Sequence, residues 1–267
     1  LLKGFLPFAT GKTFRTAPAI FRESLIFPYF KGMVFILHLT NRGGWEPVNA
    51  AFRDPPTSTE QILHPEKYRE PRDVPTAIAL PDMKAVIDEA WKKLGENVLG
   101  EFQISILLTG VKDAAQASAG WDGDRYAVFE GEAGKLGLVW LSTWDRPEDA
   151  KEFATAYARY LQEKKLATPS APPLRKALPA PPLRKGGQGG VKAKDAAKPS
   201  EEGKTPESPA ADLTLRVSRN GRVYHIQRKD ADVAVIEGFS DAETDRLLEI
   251  VFNAEKKPKV FPEQAKK

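Results

Sequence analysis

Residues 125–161, RYAVFEGEAGKLGLVWLSTWDRPEDAKEFATAYARYL, hold two runs of β-branched and aromatic residues followed by a charged, amphipathic stretch. RYAVFEG and KLGLVWLSTW predict two strands joined by a turn around Gly131 to Gly134. DRPEDAKEFATAYARYLQEK predicts a helix. Asp145 is placed to cap it, Glu148 stands at its third position, and Phe153, Tyr157 and Leu161 recur every four residues on one face.

The same grammar returns at residues 222–254, RVYHIQRKDADVAVIEGFSDAETDRLLEIVFNA. LTLRVSR, RVYHIQRK and VAVIEGF predict three strands, and Asn220-Gly221 between the first two is a strong hairpin-turn signal. Ser240 and Glu243 have capping-box spacing and open a further helix. The two stretches together imply one α+β domain built of two strand–strand–helix halves, residues 81–165 and 212–257. The alternation of apolar residues implies an antiparallel sheet covered on one face. PDMKAVIDEAWKKLG, at the start of the first half, predicts a helix capped by Asp82, and LGEFQISILLTGV predicts another, with a strand as the alternative for its apolar run.

Between the halves, residues 166–211 contain nine of the chain's 22 prolines, no aromatic residue, and a tandem APPLRKALP/APPLRKGGQ repeat. Such a composition cannot bury enough apolar surface to offset its ordering entropy, so this linker is expected to be disordered. Residues 258–267 are expected to form a disordered tail. The linker holds eight Lys/Arg against four Asp/Glu, which is the whole net charge of +4; the remaining residues carry 32 of each sign. The folded parts are therefore neutral, and a basic nucleic-acid-binding face is not expected. With no cysteine, disulfides and thiolate metal sites are excluded, and the redox compartment stays open.

Residues 1–80 read as a mainly helical region. The most apolar run, SLIFPYFKGMVFILHLT, is interrupted by Pro28, Lys31 and Gly32 and falls short of the ~20 clean residues of a membrane span. It is expected to be a buried helix ending at Asn41 to Gly44. WEPVNAAF predicts a short helix that Asp54-Pro55-Pro56 breaks. In PPTSTEQILHPEKY, residues 55–68, Thr57 and Glu60 suggest a capping box over a single turn that His64-Pro65 ends. The chain begins at Leu1 with LLKGFLPF, which has no signal-peptide pattern and is expected to be an interior start.

Candidate chemistry is sparse. The three histidines, His38, His64 and His225, share no metal-binding spacing, and nucleophile and phosphate-loop motifs are absent. In GWDGDRY, Asp122 and Asp124 read as turn chemistry before a strand, without the further ligands of a calcium site. Trp121, Asp124, Arg125 and Tyr126 are the candidates for a binding surface, since Trp, Tyr and Arg anchor interfaces. Trp121 reads equally well as core.

The run FPYFKGMVFILHLTNRGGWEPVNAAFRDPPTSTEQILHPEKY, with LGEFQISILL, AAQASAGWDGDRYAVFEG and LVWLSTWDRPEDAKEF after it, resembles a segment of uncharacterised bacterial zinc-metallopeptidase-like proteins of the gluzincin kind. The likeness covers about residues 20–165. In those proteins the H-E-x-x-H helix and a downstream glutamate precede this segment, and neither is present in this chain. The resemblance thus implies zinc in an upstream region, a peptide or protein substrate for the whole protein, and no metal ligand or cofactor here. It implies supporting roles at most for His64 and Tyr68, steadying an oxyanion beside the cleft. The residues by themselves allow the plainer reading that His64 ends the turn and Tyr68 packs. The alternative to a supporting part of a peptidase is a non-enzymatic binding or scaffold module.

Overall fold

The valine-, leucine- and tryptophan-rich runs assemble into one six-stranded sheet. The computed structural model describes residues 11–69, 71–163 and 213–257. The expectations for the linker 166–211 and the tail 258–267 lie outside them. The sheet strands are β2 (Lys92–Asn97), β3 (Trp121–Glu130), β4 (Leu136–Trp144), β5 (Thr214–Arg219), β6 (Arg222–Lys229) and β7 (Asp232–Glu237), in the spatial order β2-β3-β4-β7-β6-β5. Every pairing is antiparallel. The two halves meet at β4 and β7, where Leu141 lies opposite Ala234 and Trp140 opposite Val235. A separate ribbon pairs β1 (Ala77–Ala79) with β8 (Glu255–Lys257).

Local signals account for the hairpins. Asn220 and Gly221 both have positive φ, 52° and 70°, as the two-residue β5–β6 turn requires. The helix α7 (Pro147–Glu163) follows β4, and α8 (Asp241–Val251) follows β7 with the expected Ser240/Glu243 capping box. Asp145, expected to cap α7, lies two residues before its first residue and receives Lys67 Nζ at 2.6 Å.

The sheet is covered on both faces, not one. Trp140, Trp144, Val233, Val235 and Ile226 pack with Phe153, Tyr157 and Leu161 of α7. Ala127, Phe129, Val139, Leu141, Ala234 and Ile236 pack with Phe239, Leu247 and Val251 at α8. Successive strand residues point to opposite faces, so unbroken apolar runs such as VAVI can only satisfy two covers. The alternation within LVWLSTW is one of side-chain size and not of polarity.

The helix expected over PDMKAVIDEAWKKLG does not form. Its first part is a chain of turns, in which Asp82 accepts from the Lys84 amide and Asp88 from the Ala90 amide at 3.1 and 2.8 Å. Met83, Ile87 and Trp91 recur at helical spacing, yet each joins the core under α8. Asp side chains bonding their own backbone compete with the helix, and the buried anchors hold the alternative. The second part is β2, an exposed edge strand of Lys, Gly, Glu and Asn, the composition that discourages edge-to-edge pairing. The α5 helix (Gly100–Leu107), in contrast, forms within LGEFQISILLTGV as expected, followed by α6 (Ala114–Ser118).

The N-terminal region is helical: α1 (Lys12–Thr16), α2 (Ala19–Gly43), α3 (Glu46–Arg53) and α4 (Thr59–Leu63). Phe35 and Leu39 of α2 close on Val48 and Ala51 of α3. The expectation of a buried helix holds for that seam and for Phe27, which packs on Phe102 of the helix Gly100–Leu107. Phe21, Leu25, Tyr29, Met33 and Leu37, spaced by four, are 51–64% exposed. Phe52 of α3 is also exposed, at 82%. Among the described residues no helix is long and apolar enough to cross a membrane.

Candidate functional site

The turn quoted as PPTSTEQILHPEKY is held by charge. Ser58, not Thr57, is the N-cap of α4 and accepts from the Gln61 amide at 3.2 Å. This frees Glu60, which is 1% exposed, to receive Lys67 Nζ at 2.6 Å. The same ammonium lies 3.1 Å from Asp73 and 2.6 Å from Asp145, so one cation stands among three carboxylates. Burial, and to a lesser degree the charges of Asp73 and Asp145, raise the pKa of Glu60 to about 7 against the pull of Lys67, whereas the carboxylates hold Lys67 protonated far above its ordinary range. Oxygens of Glu60, Asp73 and Asp145 lie within 4.8 Å of one another, the spacing of a metal site. The Lys67 ammonium already fills the position of a cation, and no metal is assigned to the cluster.

His64 ends α4, and its Nε2 meets Glu101 Oε1 of α5 at 2.8 Å. That bond and the charge of Glu101 raise the pKa of the imidazole. Glu66 lies 3.8 Å from Nδ1. Tyr68 donates its hydroxyl to the Asp54 carbonyl at 2.7 Å, packs edge-on against Phe35, and lies under the Arg72 guanidinium. Both side chains expected beside a cleft therefore fasten the turn: His64 to α5, Tyr68 to the Asp54-Pro55 break.

GWDGDRY is an interior strand start and not a surface turn. Asp124, 2% exposed, receives four N–H groups: the amides of Leu99 and Gly100 at 2.9 Å each, and the indoles of Trp121 and Trp140 at 2.9 and 3.0 Å. Burial raises its pKa, and the four donors oppose that shift. Trp121 is equally buried, so it cannot belong to a contact surface; its indole is committed to Asp124. Gly123 lets the chain at Thr76 cross the strand, since a Cβ there would stand 2.2 Å from the Thr76 carbonyl oxygen. Arg125 pairs with Glu96 of β2 through Nε at 2.9 Å.

Tyr126 leads elsewhere. It lines a cavity of about 440 Å³ between α5, α7 and the sheet, with Leu138, Trp140, Tyr157, Tyr160 and Glu237. Tyr157 donates its hydroxyl to Glu237 Oε1 at 2.6 Å. Glu237 is partly exposed and lines the cavity, and burial raises its pKa; the Tyr157 hydrogen bond lowers it by less. Sequence reasoning missed this pair. Tyr157 looked like one more core residue of a helix face, and Glu237 like the polar end of a strand, with 80 residues between them. Lys67 and Glu101 were missed for the same reason, their partners being remote in sequence.

His225 is buried in β6 with Nδ1 unpartnered, and burial lowers its pKa, so it is a neutral core histidine.

Comparison with known families yields one match. A family model described as a domain of unknown function, DUF8575, matches residues 88–176. The match takes in β2 to α7 and leaves out the helical region and β5 to β8. No curated protein and no solved structure matches the chain significantly.

Proposed function

We propose that this chain is a non-catalytic docking module, the supporting part of a larger zinc-metallopeptidase-like protein, joined to its catalytic partner through the outer face of α2. The observation that carries the reading is that face: five large apolar side chains spaced by four and half-exposed or more, within the segment that bears the family likeness. Contiguous apolar surface of this kind marks an interaction site. On this reading zinc and its ligands lie outside the chain, and the whole protein acts on a peptide or protein. His64 and Tyr68 then serve the chemistry indirectly, by holding the turn after α3 against α5.

The test is to co-express the chain with the polypeptide encoded upstream in the same frame. A one-to-one complex with about one zinc per pair is expected. Met33→Glu with Leu37→Glu, both on solvent-facing positions, should abolish the complex and leave the chain folded. A zinc-free complex lost in the same variant would favour the scaffold reading, in which α2 still docks but no peptidase is served. A complex indifferent to the two substitutions overturns the docking face itself.

A further inference from the structure

Glu237, partly exposed at the mouth of a cavity, is placed differently from the acids buried among the described residues. Glu60 has Lys67, Glu101 has His64, Asp149 has Arg146, and Asp124 has four N–H donors. Glu243 closes a capping box and receives the Trp91 indole at 2.9 Å. Among the described residues Glu237 is paired with no cation and accepts from one neutral hydroxyl, that of Tyr157, at Oε1. A buried carboxylate without a cation costs several kcal/mol of solvation, which is why buried acids are normally paired.

The space beside it is a cleft partly open to solvent rather than an interior void. Protein interiors hold few voids larger than a water molecule, whereas ligand pockets run to roughly 300–1,000 Å³. At about 440 Å³ the cavity falls in the latter class. Its walls are leucine and isoleucine side chains, the rings of Tyr126, Trp140, Tyr157 and Tyr160, and the neutral amide of Gln103; among the described residues no Lys, Arg or His lines it. Electron-rich ring faces around one acid attract a cation and repel an anion.

We propose that this cavity binds a small amphiphilic organic cation, an ammonium group on an aliphatic or aromatic body, with the ammonium donating to Glu237 and the body lying among the rings and α5. The inference is independent of zinc and of the apolar face of α2, since α2 reaches the cavity only through Ile20 at its start.

Titration calorimetry on the full chain, with n-octylammonium, octan-1-ol and octanoate as probes, decides it. Octylammonium is expected to bind at least tenfold more tightly than octan-1-ol, and octanoate not at all. Glu237→Gln keeps the shape and an acceptor for Tyr157, and should erase the preference for the ammonium while octan-1-ol still binds. Ile106→Trp, which fills the cavity from α5, should block both. Equal binding of ammonium and alcohol, preference for octanoate, an unchanged preference in Glu237→Gln, or no binding by any probe to a folded wild-type chain each overturns the proposal.

Discussion

The sheet and the helical region before it are held by different forces. The sheet buries two apolar layers, and the acid at its centre, Asp124, is met by neutral N–H groups. The turn after α3 carries little apolar burial and is fastened by ions: Lys67 among three carboxylates, His64 against Glu101, Arg72 against Asp54. Two of those ties, His64 to Glu101 and Lys67 to Asp145, also join the helical region to the sheet domain, beside the packing of Phe27 on Phe102. Packing should therefore set the stability of one region at any pH, while protonation tunes the attachment of the other.

The sharpest way to break this contrast is to damage each region by one residue. Phe153 is fully buried and touches Trp140, Trp144 and Tyr157. Phe153→Ala should cost about 3–5 kcal/mol in urea unfolding, the range for truncating a core aromatic, and the loss should be the same at pH 5 and pH 8. Lys67→Met keeps the aliphatic stem but strands three acids. Lys67 is partly exposed, so the expected loss is about 2–3 kcal/mol at pH 7, somewhat below that for breaking a fully buried pair. Unlike the core variant, it should recover at pH 5, where the acids can take up protons. A pH-independent loss in Lys67→Met would show that the turn is held by packing after all.

The contrast also explains what could be read in advance. The hairpin at Asn220-Gly221, the box at Ser240/Glu243 and the α7 stripe are signals that sit within a few residues, and all three elements form as read. Residues 83, 87 and 91 have helical spacing too, but their conformation is decided by Glu243, which receives the Asp88 amide and the Trp91 indole from over 150 positions away. Asp124 looked like a turn aspartate because its amide donors lie 24 and 25 residues upstream. Even the cap of α4 shifted by one residue, from Thr57 to Ser58, since Glu60 was needed for Lys67. Local grammar fixes elements; the polar sites arise from partners that no local pattern can announce.

The smallest effect tests the ionic side most directly. Glu60 has its pKa raised from 4.5 to about 7. Between those values the folded state keeps a proton that the unfolded chain has released, so stability must fall as pH rises across that window. His64 works in the same direction: its pKa is raised by Glu101, so its contribution is full below the unfolded value of 6.5 and is lost as pH climbs through the higher folded value. Glu60→Gln removes one of the two slopes and leaves the other. The variant should unfold at nearly the wild-type urea midpoint at pH 5. At pH 8 it should be relatively more stable, by on the order of 1 kcal/mol, less than the full shift implies because Lys67 repays part of the cost of ionising the native glutamate. A difference of the opposite sign would mean that Glu60 is ionised throughout, and that the ammonium of Lys67 outweighs both burial and its two aspartate neighbours.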